Sequence, residues 1–148
     1  MKAAIQITIA ESLAAGDLAR IEALLAQLSL TATFEPSRVQ MMLTTPGVDL
    51  FVARDAERIV GMATLVTFPL VTGWRGIVED VVVDHLARGR GVARSLLEAI
   101  IDESDRRRLR TLDLTSRPSR ESALRLYESV GFRPRDTNVL RYAPPSDG

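Results

Sequence analysis

The chain opens on strict alternation. Ile5, Ile7 and Ile9 are apolar with Gln6 and Thr8 between them, which predicts a strand with one buried face. After Gly16, Asp17 is placed to cap a helix, and Leu18, Ile21, Leu25 and Leu28 follow at helical spacing. Pro36 suits the first turn of a second, short helix running through Val39 to Leu43, which Pro46-Gly47 ends. Apolar runs at Leu50 to Ala53 and Ile59 to Phe68, joined by Asp55-Ala56-Glu57-Arg58, predict a hairpin. Pro69 and Gly73-Trp74-Arg75-Gly76 predict a loop. Ile77 to Asp84 contains Val81-Val82-Val83 and reads as a strand largely buried on both faces.

The second half alternates strand and helix. A glycine-rich turn, Arg88-Gly89-Arg90-Gly91, leads into a helix striped by Val92, Leu96, Leu97, Ile100 and Ile101. Arg106, Arg107 and Arg108 fall in its last turn, where cations favour the helix dipole. Thr111 to Thr115 reads as a short strand. Pro118-Ser119 opens a last helix, with Ser119 as cap and Glu121 in its first turn, and Gly131 ends it. Phe132 to Tyr142 reads as one or two further strands. The predicted order is β-α-α-β-β-β-α-β-α-β. That is a mixed-sheet α/β domain spanning residues 1–148, with 144–148 a disordered tail.

Composition narrows the chemistry. The 148 residues contain no Cys and one His (His85). Thiolate nucleophiles, disulfides, thiolate zinc sites and two-histidine metal sites are therefore excluded, and no metal is expected. The 19 basic and 19 acidic residues cancel. A neutral domain is not drawn as a whole to nucleic acid or anionic lipid, so neither is an expected partner. No apolar run approaches the ~20 residues of a membrane span. The N-terminus lacks a charged-then-apolar leader, so the expected location is the cytoplasm. The Arg106-Arg107-Arg108-x-Arg110 cluster reads as a solvated helix end, since no aromatics are interleaved with it.

The glycine-rich turn suits a phosphate. Helix N-terminal amides lack intrahelical acceptors, and the dipole adds partial positive charge. Arg88, Arg90 and Arg94 add charge-assisted donors. A P-loop would require G-x-x-x-x-G-K-[ST], which is absent. A dinucleotide fingerprint would require a small residue where Arg94 stands. The pattern Q/R-x-x-G-x-G/A is satisfied at Arg88, Gly91 and Ala93. In the last helix, Ala123, Leu124, Tyr127 and Val130 share a face, and the Tyr127 phenol is either a core group or a proton donor.

In these two segments the chain resembles the GNAT superfamily of N-acetyltransferases. Val81-Val82-Val83-Asp84-His85-Leu86-Ala87-Arg88-Gly89-Arg90-Gly91-Val92-Ala93 is similar to that family's central strand and pyrophosphate loop. Leu126-Tyr127-Glu128-Ser129-Val130-Gly131-Phe132 is similar to its second signature, one helix and one strand further on. The resemblance implies a GNAT-like fold with a central mixed, largely antiparallel sheet flanked by helices. It implies acetyl-CoA as co-substrate and a small-molecule or protein amine as acceptor, in a monomer or homodimer. Carried over, Arg88, Gly89, Arg90, Gly91, Val92, Ala93 and Arg94 hold the pyrophosphate. The backbone of Val81, Val82 and Val83 pairs with the pantetheine arm, and Tyr127 protonates the leaving thiolate. The chain departs from the family at His85, where Pro is common. It departs again at Arg120, where an Asn that contacts pantetheine commonly stands.

Without Cys, the expected reaction is direct attack of a bound amine on the thioester in a ternary complex. Glu79 and Asp80 are the candidate bases, on opposite faces of a regular strand, with Glu79 on the side of Val81 and Val83. Glu79 is preferred because the resemblance often places an acid there. Phe34, Phe68 and Trp74 are candidates to line the acceptor pocket. The alternative reading is a non-catalytic acyl-CoA-binding or regulatory domain of the same fold.

Overall fold

The computed structural model describes residues 4–116 and 120–144. Strands β1 (Ile5–Ile9), β2 (Val48–Asp55), β3 (Arg58–Leu70) and β4 (Gly73–Val83) pair antiparallel in chain order, and β5 (Thr111–Asp113) joins β4 in parallel. Helices α1 (Ala15–Leu28), α2 (Pro36–Thr44), α3 (Val92–Arg106) and α4 (Glu121–Ser129) flank this mixed, largely antiparallel sheet. No described helix is long and apolar enough to cross a membrane.

Alternation sends each strand's side chains into two cores. On one face, Phe51, Ala53, Ala63, Leu65 and Val78 pack with Leu96, Leu97 and Ile100 of α3, and Tyr127 of α4 joins them. Ile5, Ile7 and Ile9 lie on this same face, opposite Asp55, Ala53 and Phe51. On the other face, Leu50, Val52, Ile59, Met62 and Val82 pack with Ile21 and Leu24 of α1. Burying a Leu or Ile fully contributes about 1.5–3 kcal/mol, so these clusters hold the helices to the sheet.

Several local features differ from the sequence expectation. Asp17 lies inside the first turn of α1 rather than capping it, and its Oδ2 accepts a 3.0 Å hydrogen bond from the Ala14 N–H. The fully buried position of that helix is Leu24, and Leu25 lies at the flank of the stripe. Pro69 and Gly73 to Gly76 are not a loop, because β3 and β4 stay paired out to Leu70↔Gly73. The β2 ladder stops at Val66, so Pro69 interrupts no pairing on that side.

Helix α4 ends as expected at Gly131, whose φ of 117° suits glycine. The Phe132 N–H donates to the Tyr127 carbonyl at 3.0 Å and the Gly131 N–H to that of Glu128 at 3.1 Å, a Schellman pair. The helix is entered from Arg120, and the expected Ser119 cap lies outside the described residues, as do residues 145–148 of the expected tail. The strands expected from Phe132 to Tyr142 do not form among the described residues, and Val139, Leu140 and Tyr142 are exposed. Pro134 and the charged run Arg133, Arg135 and Asp136 break the alternation there, and β5 spans only Thr111–Asp113 as a neighbour.

Candidate active site

The site begins with a fault in the sheet. Met62 pairs with Val82, but Thr64 pairs with Glu79, so β4 carries one extra residue across from Ala63. Asp80 absorbs this bulge with a left-handed φ of 55°, a strained conformation that Asp tolerates better than most residues. Before the bulge, β5 pairs with β4 only at Arg75, Gly76 and Ile77. Beyond Ile77 the two strands part, and the edge of Val81, Val82 and Val83 is left facing a cleft of about 1180 Å³. The opposite wall carries Thr115, Ser116, Ala123 and Tyr127. A strand edge with free backbone groups is a template for an extended, amide-bearing ligand.

One end of this cleft runs to the glycine turn. The Asp84 side chain caps a single 3₁₀ turn, His85–Ala87, by accepting from the Leu86 N–H at 3.1 Å. The chain then passes Arg88 and Gly89 (φ 82°) to Gly91 (φ 71°), which precedes α3 without any side-chain cap. Nothing lies within 4 Å of where a Cβ would sit at Gly89 or Gly91. The open space, positive φ values and uncapped helix start leave backbone amides there with room beside them, a geometry that suits an anion. A second hollow of about 240 Å³ adjoins it, lined by Arg88, Gly89, Gly91, Val92, Ala93 and Arg94.

The three arginines have diverged in use. Arg90 forms an ion pair with Asp55 at 2.7 Å, at the β2–β3 hairpin. Arg94 donates to Ser129 Oγ at 2.6 Å and pairs with Glu98 at 3.6 Å. Arg88 is exposed and lines both the cleft and the smaller hollow. Among the three it is the side chain that faces both cavities.

Tyr127 is 9% exposed and lines the cleft, with Phe132 edge-to-face at 6.4 Å behind it. It is therefore both a core tyrosine and a cleft tyrosine. The two acids stand differently from the regular-strand expectation. Leu65 and Val78 pair in the α3-side core, whereas Met62 and Val82 pair in the α1-side core. Thr64 follows the parity of Met62, so its partner Glu79 lies on the α1 side with Val82, while Val81 and Val83 pack toward α3. The bulge reverses the face assignment made from simple alternation. Glu79 is exposed and does not line the cleft; loss of hydration among the atoms around it pushes its carboxyl above the ordinary value, and the neighbouring Asp80 charge adds to the rise. Asp80 itself lines the cleft.

Other sequence candidates fall elsewhere. Phe34 packs beside the α1-side core, Phe68 lies under the Arg75 guanidinium at 5.9 Å, and Trp74 is half exposed at the β3–β4 hairpin. None of the three lines the cleft. At the end of α3, Arg107 reaches Asp49 at 2.7 Å, Arg106 pairs with Glu103, and Arg110 donates to the Thr72 carbonyl at 3.3 Å. Sequence reasoning missed the α1 wall of the cleft, made by Leu25, Gln27 and Leu28. The signal was the polar Gln27 between two leucines of the apolar stripe.

A bulged central strand, a splayed neighbour, a glycine cradle and a tyrosine across the cleft define an acyl-CoA-type transferase architecture. Residues 20–132 match the family described as acetyltransferase (GNAT) family, and the chain belongs to that family. A ribosomal protein bS18-alanine N-acetyltransferase from Escherichia coli (strain K12) is 40% identical over 70 residues, covering 47% of this chain and 46% of that protein. The match thus spans about half the length of that curated relative. Among solved structures, a ribosomal-protein-alanine N-acetyltransferase from Brucella melitensis biovar Abortus 2308 superposes with a TM-score of 0.72 at 25% identity, over 95% of this chain and 100% of that one. A transcriptional regulator from Bacillus halodurans C-125 superposes with a TM-score of 0.80 at 27% identity, over 93% and 100%.

Proposed function

We propose that this protein transfers the acetyl group of acetyl-CoA to a primary amine by direct attack in a ternary complex. The observation that carries the reading is the bulge at Asp80. Just past it, where β5 no longer pairs with β4, the edge from Val81 to Val83 faces a cleft that reaches the uncapped N-terminus of α3. The pantetheine arm would lie along that edge as an added strand. Its pyrophosphate would rest on the amides from Gly89 to Arg94, with Arg88 completing the charge. A backbone N–H of Val81 to Val83 would polarise the thioester carbonyl.

In the reaction the amine nitrogen attacks the acetyl carbon, forming the C–N bond while the C–S bond breaks. The departing thiolate takes the Tyr127 phenol proton. The nitrogen loses its proton to Glu79, directly or through water, and a raised carboxyl is the better base for that step. Location in the cytoplasm is part of this reading, since the co-substrate is a cytosolic metabolite. The first acceptor to try is a protein N-terminal alanine, because the curated relative carries that activity in its name. Small-molecule amines are the second class.

The likeness to a transcriptional regulator supports a second reading, a domain that binds acyl-CoA without turning it over. Release of free CoA from acetyl-CoA across a panel of alanine-ended peptides and small amines tests both. CoA binding measured by calorimetry with no acceptor-dependent release would overturn the transferase reading and leave the binding domain. Absence of CoA binding would overturn both.

A further inference from the structure

We propose that Asp84, clamped by Arg20 and Gln27 of α1, is a positioning residue that sets the direction of the pyrophosphate loop and hence the affinity for CoA. This rests on the acyl-CoA reading above. Asp84 is only 3% exposed, and a carboxylate so buried must be compensated. The Arg20 guanidinium pairs with its Oδ2, and the Leu86 amide donates to its Oδ1 at 3.1 Å. His85 Nδ1 lies 3.4 Å from Oδ1 and Arg58 3.9 Å from Oδ2. The Leu86 amide holds the carboxyl below its ordinary value against the effect of burial, with Arg20 and a Gln27 side-chain hydrogen bond assisting.

The clamp joins three elements at the point where β4 becomes loop. Arg20 Nε also donates to the Ile59 carbonyl of β3 at 3.0 Å. The Asp84 N–H makes the last ladder bond, 2.8 Å to the Val60 carbonyl. Gln27 Oε1 accepts from the His85 N–H at 3.0 Å, so α1 holds the first residue of the turn as well. Arg20 and Gln27 are two helical turns apart on one face of α1. The same helix supplies Leu25, Gln27 and Leu28 to the cleft wall. Asp84 therefore ties the helix that walls the cleft to the loop that receives the anion.

A hydrophobic triad of this volume would serve stability as well, because buried ion pairs are poor stabilisers. What the charges add is direction. Two oxygens and a fixed guanidinium set the path on which residues 85–91 leave β4, before the Arg90–Asp55 pair ties the segment to the sheet again.

The test uses CoA as the probe and needs no knowledge of the acceptor. Calorimetric affinity is measured for wild type, Arg20→Met, Arg20→Lys, Asp84→Asn and the Arg20→Met/Asp84→Asn double variant, well below each unfolding temperature. Arg20→Met is expected to weaken CoA about tenfold, with Arg20→Lys recovering most of the loss. The double variant should be no weaker than the worse single variant, since both break one device. If Asp84→Asn does not fold, the two Arg20 variants carry the comparison, because Arg20 does not line the cleft. Lowered unfolding temperatures with wild-type CoA affinity would reduce the clamp to structure and overturn the proposal. Failure of the wild type to bind CoA would instead overturn the functional reading.

Discussion

Thr64 and Glu79 face each other across β3 and β4, one residue out of step with the Met62–Val82 pair beside them. That slip puts Glu79 on the α1 side, next to Asp80, where loss of hydration and the Asp80 charge raise its carboxyl. A base must be deprotonated to act, so activity should rise with pH through an acid limb above the ordinary value of 4.5. Asp80→Asn removes the repulsion that raises Glu79, so its acid limb should move toward lower pH. Glu79→Gln should abolish the limb and cut turnover about 100-fold. Measured kcat/KM profiles for the three proteins check this. A limb that survives in Glu79→Gln and vanishes in Asp80→Asn would transfer the role to Asp80.

Tyr127 is expected to separate chemistry from binding. Phe fills the same space beside Phe132 and keeps the edge-to-face contact. Tyr127→Phe should lower kcat by about 100-fold or more, the contribution of one positioned acid. CoA affinity should stay within about twofold. Stopped assays for kcat, paired with calorimetric CoA binding, check the split. Unchanged kcat would leave Tyr127 as a core residue only.

Gly91 tests the cradle. Its φ of 71° strains any side chain, while nothing crowds the place of its Cβ. Gly91→Ala should therefore cost about 1–2 kcal/mol of stability from backbone strain alone, read from denaturant unfolding. Gly91→Glu adds a negative charge where the pyrophosphate is expected, and CoA affinity should fall far more than in Gly91→Ala. Equal affinities in the two variants would remove the anion from this helix start.

The parts of this molecule written in local pattern were legible beforehand, and those written in pairing were not. Val92, Leu96, Leu97 and Ile100 repeat at helical spacing, and Gly131 closes α4 by backbone conformation alone. Arg88-Gly89-Arg90-Gly91 advertises its turn by composition. The bulge at Asp80 is different, because it exists only as a mismatch between two strands, and no residue of β4 announces it. The face of Glu79 followed the bulge and was misassigned by simple alternation. Asp84, Arg20 and Gln27 are spread over 64 residues of chain and meet only in the fold. Pro69 and Gly73 looked like loop residues, yet the antiparallel ladder with β4 overrode their local preference.

Asp17 gives a prediction about stability rather than chemistry. It pairs with Arg54 of β2 at 2.9 Å and accepts from the Ala14 N–H, so it fastens the start of α1 to the sheet. The Arg54 hydrogen bond comes first among the causes that hold its carboxyl below the ordinary value of 3.8. A carboxylate depressed in the folded state contributes stability at pH above its unfolded value and loses it as pH falls through the folded one. Asp17→Asn should therefore cost about 1 kcal/mol at neutral pH, since the pair is only partly shielded. The gap between wild type and variant should hold steady down to roughly pH 4 and close below it. Urea unfolding at a series of pH values measures that gap. A difference that stays constant at the lowest pH would mean that Asp17 acts through packing, without its charge.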